Sequence, residues 1–196
     1  MSLPANFFNA NSPRGAIFST AGSGFQVSDS AAGNGVGVRF DNLNATYSST
    51  FQTFSAQKLF TAIGSNTYDV NFFVPGTATP AQVMGFGAIF TDVDTLGGTT
   101  IEYFNQSNTS LGVFNVSAQD LGLSFLGVSF NTAEITRVRI TQGTVALGVN
   151  DNPGAGQDVV VADDFIYSQP SAAPEPGTLA FLALGGTLIF IRRPLK

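Results

Sequence analysis

The 196-residue sequence contains no cysteine, no histidine and no tryptophan, and only 11% of its residues are charged. The missing cysteines exclude disulfides and thiol chemistry, and the missing histidines exclude histidine-ligated metals and histidine-based acid–base catalysis. The absence of tryptophan removes the usual aromatic platform for stacking on sugar rings. Most familiar kinds of active site are therefore excluded, and we expect a protein that is not an enzyme.

The few charges are distributed unevenly along the chain. Residues 1–170 carry 12 acidic and five basic side chains, whereas residues 171–196 carry one acidic and three basic ones. An acidic body repels a phosphate backbone, so nucleic acid is not an expected partner. A basic chain end after an apolar run instead indicates a membrane segment whose basic end lies on the cytoplasmic side.

Short runs rich in Val, Ile, Thr, Phe and Tyr fill the body, separated by turn residues, and no helical apolar period is sustained. In residues 67–74 the alternation places Tyr68, Val70 and Phe72 on one face of a half-buried strand. Residues 123–130 are almost continuously apolar, which favours a central strand covered on both sides or a strand near a bend at the sandwich edge. The predicted strands are residues 16–20, 24–28, 36–40, 59–63, 67–74, 86–93, 99–104, 110–116, 123–130, 135–141, 144–147 and 158–167.

This spacing of short strands predicts an all-β fold, a two-sheet antiparallel sandwich of the jelly-roll type. We expect the sandwich to occupy residues 1–167. A Pro-rich linker over residues 168–177 and an apolar helix with a basic end over residues 178–196 should follow it.

The uncharged segment 178–191 is the candidate membrane helix. Its 14 residues would span about 21 Å as a helix, which is less than the roughly 30 Å of a bilayer's hydrocarbon core. Length alone favours a buried core helix. The segment is, however, apolar on every face and ends in Arg192, Arg193 and Lys196, whose long side chains can reach the headgroups. These features favour the membrane.

The chain end resembles a known sorting signal. Pro174-Glu175-Pro176, the short apolar stretch containing Gly185-Gly186, and the terminal Arg192-Arg193 resemble the PEP-CTERM signal of Gram-negative bacteria. The resemblance implies export across the inner membrane, transient anchoring there, recognition by an exosortase and cleavage near the motif. It also implies a place at the cell surface or in the extracellular matrix, among exopolysaccharide and biofilm components.

The body is similar to PEP-CTERM proteins of unassigned function. The similarity is carried by residues 11–15, 85–94, 101–104 and 158–167. In those relatives a signal peptide and further residues precede the stretch that matches Leu3 onward. Residues 1–20 contain no basic region followed by a long apolar run, so we expect the natural reading frame to continue upstream into a signal peptide. The family implies no catalytic residues.

Asp163 and Asp164 interrupt the last predicted strand. Because strand neighbours face opposite ways, one of the two carboxylates must point toward apolar side chains, where it needs an arginine, backbone donors or a cation. The segment is similar to closing strands of carbohydrate-binding jelly rolls, in which an acidic residue can help hold a structural Ca²⁺. The alternatives are an arginine-paired or an edge-exposed aspartate.

Asp92 and Asp94 lie two residues apart at the end of an apolar strand, so they should project to the same side or into the following loop. They could ligate Ca²⁺, serve as the acid–base pair of a glycosidase, or cap a turn. The Gly and distal Glu of an EF-hand loop are missing.

The sequence thus predicts a secreted, non-enzymatic domain with a structural or adhesive role and no cofactor other than Ca²⁺. The alternatives are a carbohydrate-binding module for exopolysaccharide, with Tyr47, Tyr68 or Tyr103 as stacking faces, and a cryptic glycoside hydrolase.

Overall fold

The computed structural model describes residues 1–29, 37–55 and 58–173, and its regular structure is mainly antiparallel β-sheet. In the first sheet the order is β1 (Ser2–Leu3), β3 (Gly24–Val27), β4 (Phe60–Ile63), β12 (Val161–Tyr167), β7 (Gly85–Val93) and β10 (Gln119–Ser129). In the second it is β2 (Ala16–Thr20), β5 (Thr67–Phe72), β11 (Arg137–Thr141), β8 (Thr100–Phe104) and β9 (Ser110–Asn115). A small third sheet pairs β6 (Ala81–Gln82) with β13 (Ser171–Ala172). The helices are α1 (Phe7–Ala10), α2 (Tyr47–Thr50) and a 3₁₀ turn at Pro153–Ala155.

The two large sheets pack face to face around an aromatic core. Phe18 of the second sheet lies 5.0 Å, between ring centroids, from Phe60 and 5.7 Å from Phe25, both in the first sheet. Tyr68 contacts the same rings and is 1% exposed. Burying a phenyl side chain stabilises a fold by about 1.5–3 kcal/mol, so this cluster holds the sheets together. The predicted all-β, two-sheet antiparallel architecture is confirmed.

Strand β5 shows how the sequence pattern becomes structure. Tyr68, Val70 and Phe72 are buried and the residues between them are half-buried, as the alternation predicts. On the outer face Asp69 lies opposite Arg139 of β11, which donates two hydrogen bonds to its carboxylate at 2.8 and 3.1 Å. The strand is therefore fixed by packing on one face and by an ion pair on the other.

Strands β7 and β10 decide between the two positions expected for the apolar run at residues 123–130. The apolar run at residues 123–130 falls in β10, which is not covered on both sides but lies at one edge of the first sheet with Phe125 58% exposed. The strand buried on both faces is its neighbour β7, whose residues 86–93 are all buried. Central position in the sheet, which depends on the long-range pairing of β7 with β10 and β12, decides burial here.

Two predicted strands do not form among the described residues. In segment 36–40 Val38 makes only an isolated bridge to Asp29, and Arg39 and Phe40 have φ of 49° and 69°, which a strand cannot accommodate. Segment 144–147 lies in the long connection between β11 and β12, and only Leu147 makes an isolated bridge there. Phe40, Val145 and Leu147 pack in a hydrophobic cluster without joining a ladder.

A second hydrophobic cluster fixes that connection. Phe40, Tyr47, Phe51 and Leu59 pack against Val159 and Val161 of the last strand region. The Tyr47 hydroxyl donates to the Val149 carbonyl and accepts from the Gly148 amide at 3.1 Å. The α2 region therefore holds the connection between β11 and β12 in place.

Sheet pairing continues past Tyr167, where the sequence places the end of the sandwich. Ser171 and Ala172 pair with β6, and the Ser168 hydroxyl accepts a hydrogen bond from the Met84 amide at 2.7 Å. Among the helices that the structure describes, none combines the length and hydropathy needed to span a bilayer. The predicted helix at 178–196 lies outside the described residues.

Candidate functional site

An acidic cluster lies at the end of β7. Asp92, in the strand, and Asp94, immediately after it, come together with Asp151 of the β11–β12 connection. One carboxylate oxygen from each of the three can be chosen so that all lie within 4.8 Å of one another. The expected convergence of Asp92 and Asp94 is present, and a third carboxylate joins them from a distant part of the chain.

Several carboxylate oxygens of this cluster have no hydrogen-bond partner. Asp92 is completely buried, and its Oδ1 accepts from the Leu121 amide at 2.9 Å while its Oδ2 accepts nothing. Both carboxylate oxygens of Asp94 are buried and unpartnered. Asp151 uses Oδ1 to accept from the Val159 amide at 2.9 Å. These contacts do not match an aspartate that caps its own turn, because the bonds formed reach other segments of the chain.

The cluster is electrostatically unfavourable without a cation. Burial raises the pKa of Asp92 to about 7, against the hydrogen bond from Leu121 and with the help of the nearby acidic groups. Burial, followed by the charge of Asp92, raises the pKa of Asp94 to about 7. Within the described residues the ion pairs join Asp69 to arginines, so no basic side chain neutralises this cluster.

Asp158 lies beside the cluster and is also fully buried. Its Oδ2 accepts from the Thr95 amide at 2.8 Å, whereas its Oδ1 is unpartnered. The backbone passes close by at Gly143, where an added Cβ would lie 2.1 Å from the Asp158 carbonyl oxygen. The φ of Gly143 is 61°, so glycine is needed here for both space and conformation.

The second candidate pair is arranged differently. Asp163 is 6% exposed, and its carboxylate accepts from the Phe54 amide at 2.5 Å and from the Ser55 hydroxyl at 3.1 Å. The Ser55 hydroxyl oxygen also lies 3.2 Å from Oδ1 of Asp164. Burial raises the pKa of Asp163, and the bonds from residues 54 and 55 oppose that shift. Backbone and hydroxyl donors, rather than an arginine, thus occupy the positions that a cation would take.

A cavity of about 590 Å³ opens beside Asp163 and Asp164. Its walls are aromatic and its rim carries charges of both signs. The lining includes Phe7, Phe8, Phe18, Phe60, Phe165, Tyr167, Arg14, Lys58, Asp163 and Asp164.

The three tyrosines expected to stack on a sugar cannot do so. Tyr47, Tyr68 and Tyr103 are at most 1% exposed. Tyr68 lies in the main aromatic core, and Tyr103 donates a hydrogen bond from its hydroxyl to the Phe86 carbonyl at 2.9 Å. Their large apolar rings are used to build the sandwich, so this expectation is wrong.

Several residues of these sites were not predicted from the sequence. Asp151 and Asp158 sit in a segment rich in Asn, Asp, Pro and Gly, which indicates only a turn. Phe7 and Phe8 form an apolar run of two residues, which is too short to indicate a binding site. The predicted sorting residues Pro174, Glu175, Pro176, Arg192, Arg193 and Lys196 lie outside the described residues.

No protein-family model matches the chain, and no curated protein matches it. Solved structures with some similarity include the enzymatically active domain of tailspike protein 4 from bacteriophage CBA120, at 9% identity and a TM-score of 0.37. The match covers 86% of this chain and only 21% of the tailspike chain. A family 6 carbohydrate-binding module matches at 19% identity over 62% of this chain and 83% of its own, with a TM-score of 0.32. Scores this low carry no argument about function.

Proposed function

We propose that this chain is an exported, non-enzymatic domain of the jelly-roll type that has an adhesive role at the cell surface or in the matrix by binding saccharide. The observation that carries the proposal is the cavity beside Asp163, which combines aromatic walls with a charged rim. The tyrosines play no part in it.

The polar groups at the rim suit a ligand rich in hydroxyls. The ion pairs among the described residues leave Lys58 and Arg14 without a carboxylate partner, so both can donate hydrogen bonds. Asp164 is half-buried, and among the described residues its hydrogen-bond donor is the Ser55 hydroxyl that it shares with Asp163, so Asp164 can accept further hydrogen bonds. A sugar hydroxyl can both donate and accept, and it can therefore satisfy both kinds of group.

The aromatic walls suit the apolar face of a sugar ring. Phe7 and Phe8 are half-buried and meet edge to face at 5.2 Å, and Phe8 packs on the buried Phe18. Phe8 is therefore supported by the core and Phe7 by Phe8, and rings ordered before binding lower its entropic cost. The volume lies within the range of about 300–1,000 Å³ that is typical of small-ligand sites.

The same geometry argues against a hydrolase. Glycosidase chemistry requires two carboxyl groups on either side of a sugar bond in an open cleft. Asp92 is fully buried, and both oxygens of Asp163 are used by donors from residues 54 and 55. Neither aspartate is available to transfer a proton to a substrate.

The test is a glycan array probed with the full chain, followed by calorimetry on each hit. Phe7→Ala and Lys58→Met should each weaken binding by about tenfold or more, which corresponds to about 1.4 kcal/mol. Phe125→Ala is the matched control, because Phe125 is 58% exposed on β10 and does not line the cavity. An array without hits, or a control that weakens binding as much as Phe7→Ala, would contradict the proposal.

Export is the second part of the proposal, and it rests on the PEP-CTERM resemblance of the chain end. In a host with an exosortase and with a working signal peptide fused to the chain, mass spectrometry of the mature protein should show loss of residues 178–196. Glu substitutions at Arg192 and Arg193 should disturb membrane orientation, because the positive-inside bias is lost. The sandwich should stay folded in these variants. Recovery of the intact chain from the matrix would contradict processing.

A further inference from the structure

We propose that Asp92, Asp94 and Asp151 form a Ca²⁺ site that joins the end of β7 to the β11–β12 connection. The site is separate from the saccharide cavity, and neither proposal depends on the other.

The spacing of the carboxylates fits one ion. Protein oxygens lie about 2.3–2.6 Å from a bound Ca²⁺, so two ligands of the same ion are at most about 5 Å apart. One oxygen from each of Asp92, Asp94 and Asp151 meets this condition, since all three lie within 4.8 Å of one another. Backbone carbonyls and water can supply the remaining ligands that Ca²⁺ requires.

Unpartnered buried oxygens are an independent indication that these side chains bind a cation. An unpaired charged group in a protein interior costs several kcal/mol, and folded proteins rarely leave one. Asp92 is 0% exposed and keeps Oδ2 without a partner, and Asp94 has two such oxygens. Asp92 is held there although its φ of 65° is unfavourable for a residue with a side chain. A divalent cation would satisfy all three oxygens at once.

The donor set selects the class of metal. The three side chains of the cluster offer carboxylate oxygens, and the whole chain contains no histidine or cysteine that would favour zinc or copper. Mg²⁺ demands a near-ideal octahedron and keeps its water, whereas Ca²⁺ accepts irregular sets of six to eight oxygens. A site assembled from a strand end and a long connection suits Ca²⁺ better.

A bound ion would link segments that are distant in sequence. Asp151 is fixed by its bond from Val159, and Asp92 is fixed by its bond from Leu121 at the start of β10. The ion would therefore tie β7, β10 and the β11–β12 connection together, at a place where the described residues provide no ion pair.

The test is calorimetric titration of the EDTA-treated full chain with CaCl₂ and, separately, with MgCl₂. We expect one Ca²⁺ per chain, with at least tenfold weaker binding of Mg²⁺. Asp151→Asn, a change in a half-buried loop residue, should weaken Ca²⁺ binding tenfold or more while the chain stays folded. Asp94→Asn should do the same. Glu134→Gln is the matched control, because Glu134 lies outside the cluster, and it should bind Ca²⁺ as the natural chain does.

Three results would overturn the proposal. The first is the absence of any Ca²⁺ binding by the folded, EDTA-treated chain. The second is unchanged binding in both Asp151→Asn and Asp94→Asn. The third is a loss in Glu134→Gln as large as in those two variants, since this would indicate only a general attraction to an acidic surface.

Discussion

The sandwich buries two groups of aspartates that the sequence predicts, and it surrounds them with different hydrogen-bond donors. Asp163 receives a backbone amide and a hydroxyl from residues 54 and 55, so its buried charge is satisfied by the protein itself. Asp92 and Asp94 have three buried oxygens with no donor, and further carboxylates lie nearby. Burial alone therefore does not identify a metal site, because the donors that face each oxygen decide whether a cation is needed.

In the absence of a metal ion, Asp92 and Asp94 should give the chain an unusual response to pH. The pKa of Asp92 and Asp94 is about 7 in the fold against 3.8 when unperturbed, so the folded state binds more protons between those values. Stability contributed in this way is present at low pH and is lost as the pH rises through about 7. In EDTA, the free energy of unfolding should increase from about pH 8 to pH 5, by about 2–3 kcal/mol for each of the two carboxyls.

Urea denaturation at several pH values measures this gain. The charged groups that face the pair are Asp120, Asp151 and Asp158, all acidic, so they strengthen the trend. Asp94→Asn should flatten it. If the natural chain in EDTA instead lost stability from pH 8 to pH 5, the negative charges of the cluster would have to be compensated within the fold.

Asp163 should behave in the opposite way, as a structural carboxylate. Asp163→Ala leaves the Phe54 amide without its acceptor and should lower the free energy of unfolding by about 1–3 kcal/mol. The loss should be equal in EDTA and in Ca²⁺, as measured by urea denaturation in each buffer. A loss that appears only in Ca²⁺ would place the ion at Asp163 and reverse the comparison.

The smallest effect concerns the contact that holds the connection carrying Asp151. Tyr47→Phe removes the hydroxyl that bonds to Gly148 and Val149 but keeps the buried ring. Loss of such bonds costs about 0.5–1.5 kcal/mol, so calorimetry should show Ca²⁺ binding weakened by about two- to tenfold. Unchanged affinity would mean that Asp151 is positioned without help from α2.

Most of the strands can be predicted from the sequence, because the pattern of apolar residues that favours a strand lies within the strand itself. In β5 the alternation of Tyr68, Val70 and Phe72 is visible in the chain and reappears as buried positions. The residues of β10 left two positions open, a covered central strand and a strand at the sandwich edge, because its apolar run fits both. Whether a partner covers it depends on the order of strands in the sheet.

The candidate sites were predictable only in part, for the same reason. The spacing of Asp92 and Asp94 shows in the sequence that both reach one strand end. Asp151 reaches the same place through a different connection, and the donors to Asp163 come from a segment 109 residues away. The burial of the tyrosines likewise follows from the packing of two sheets, which no single segment encodes.

Thermal unfolding of the natural chain and of Asp94→Asn, each in EDTA and in about 1 mM Ca²⁺, tests the central claim most directly. Asp94→Asn removes one of the repelling charges, so in EDTA it should melt above the natural chain. In Ca²⁺ the order should reverse, because a ligand at 100 times its Kd stabilises the natural chain by about 2.7 kcal/mol and the variant binds it poorly. The account would be contradicted if the melting temperature of Asp94→Asn lay below that of the natural chain in both buffers.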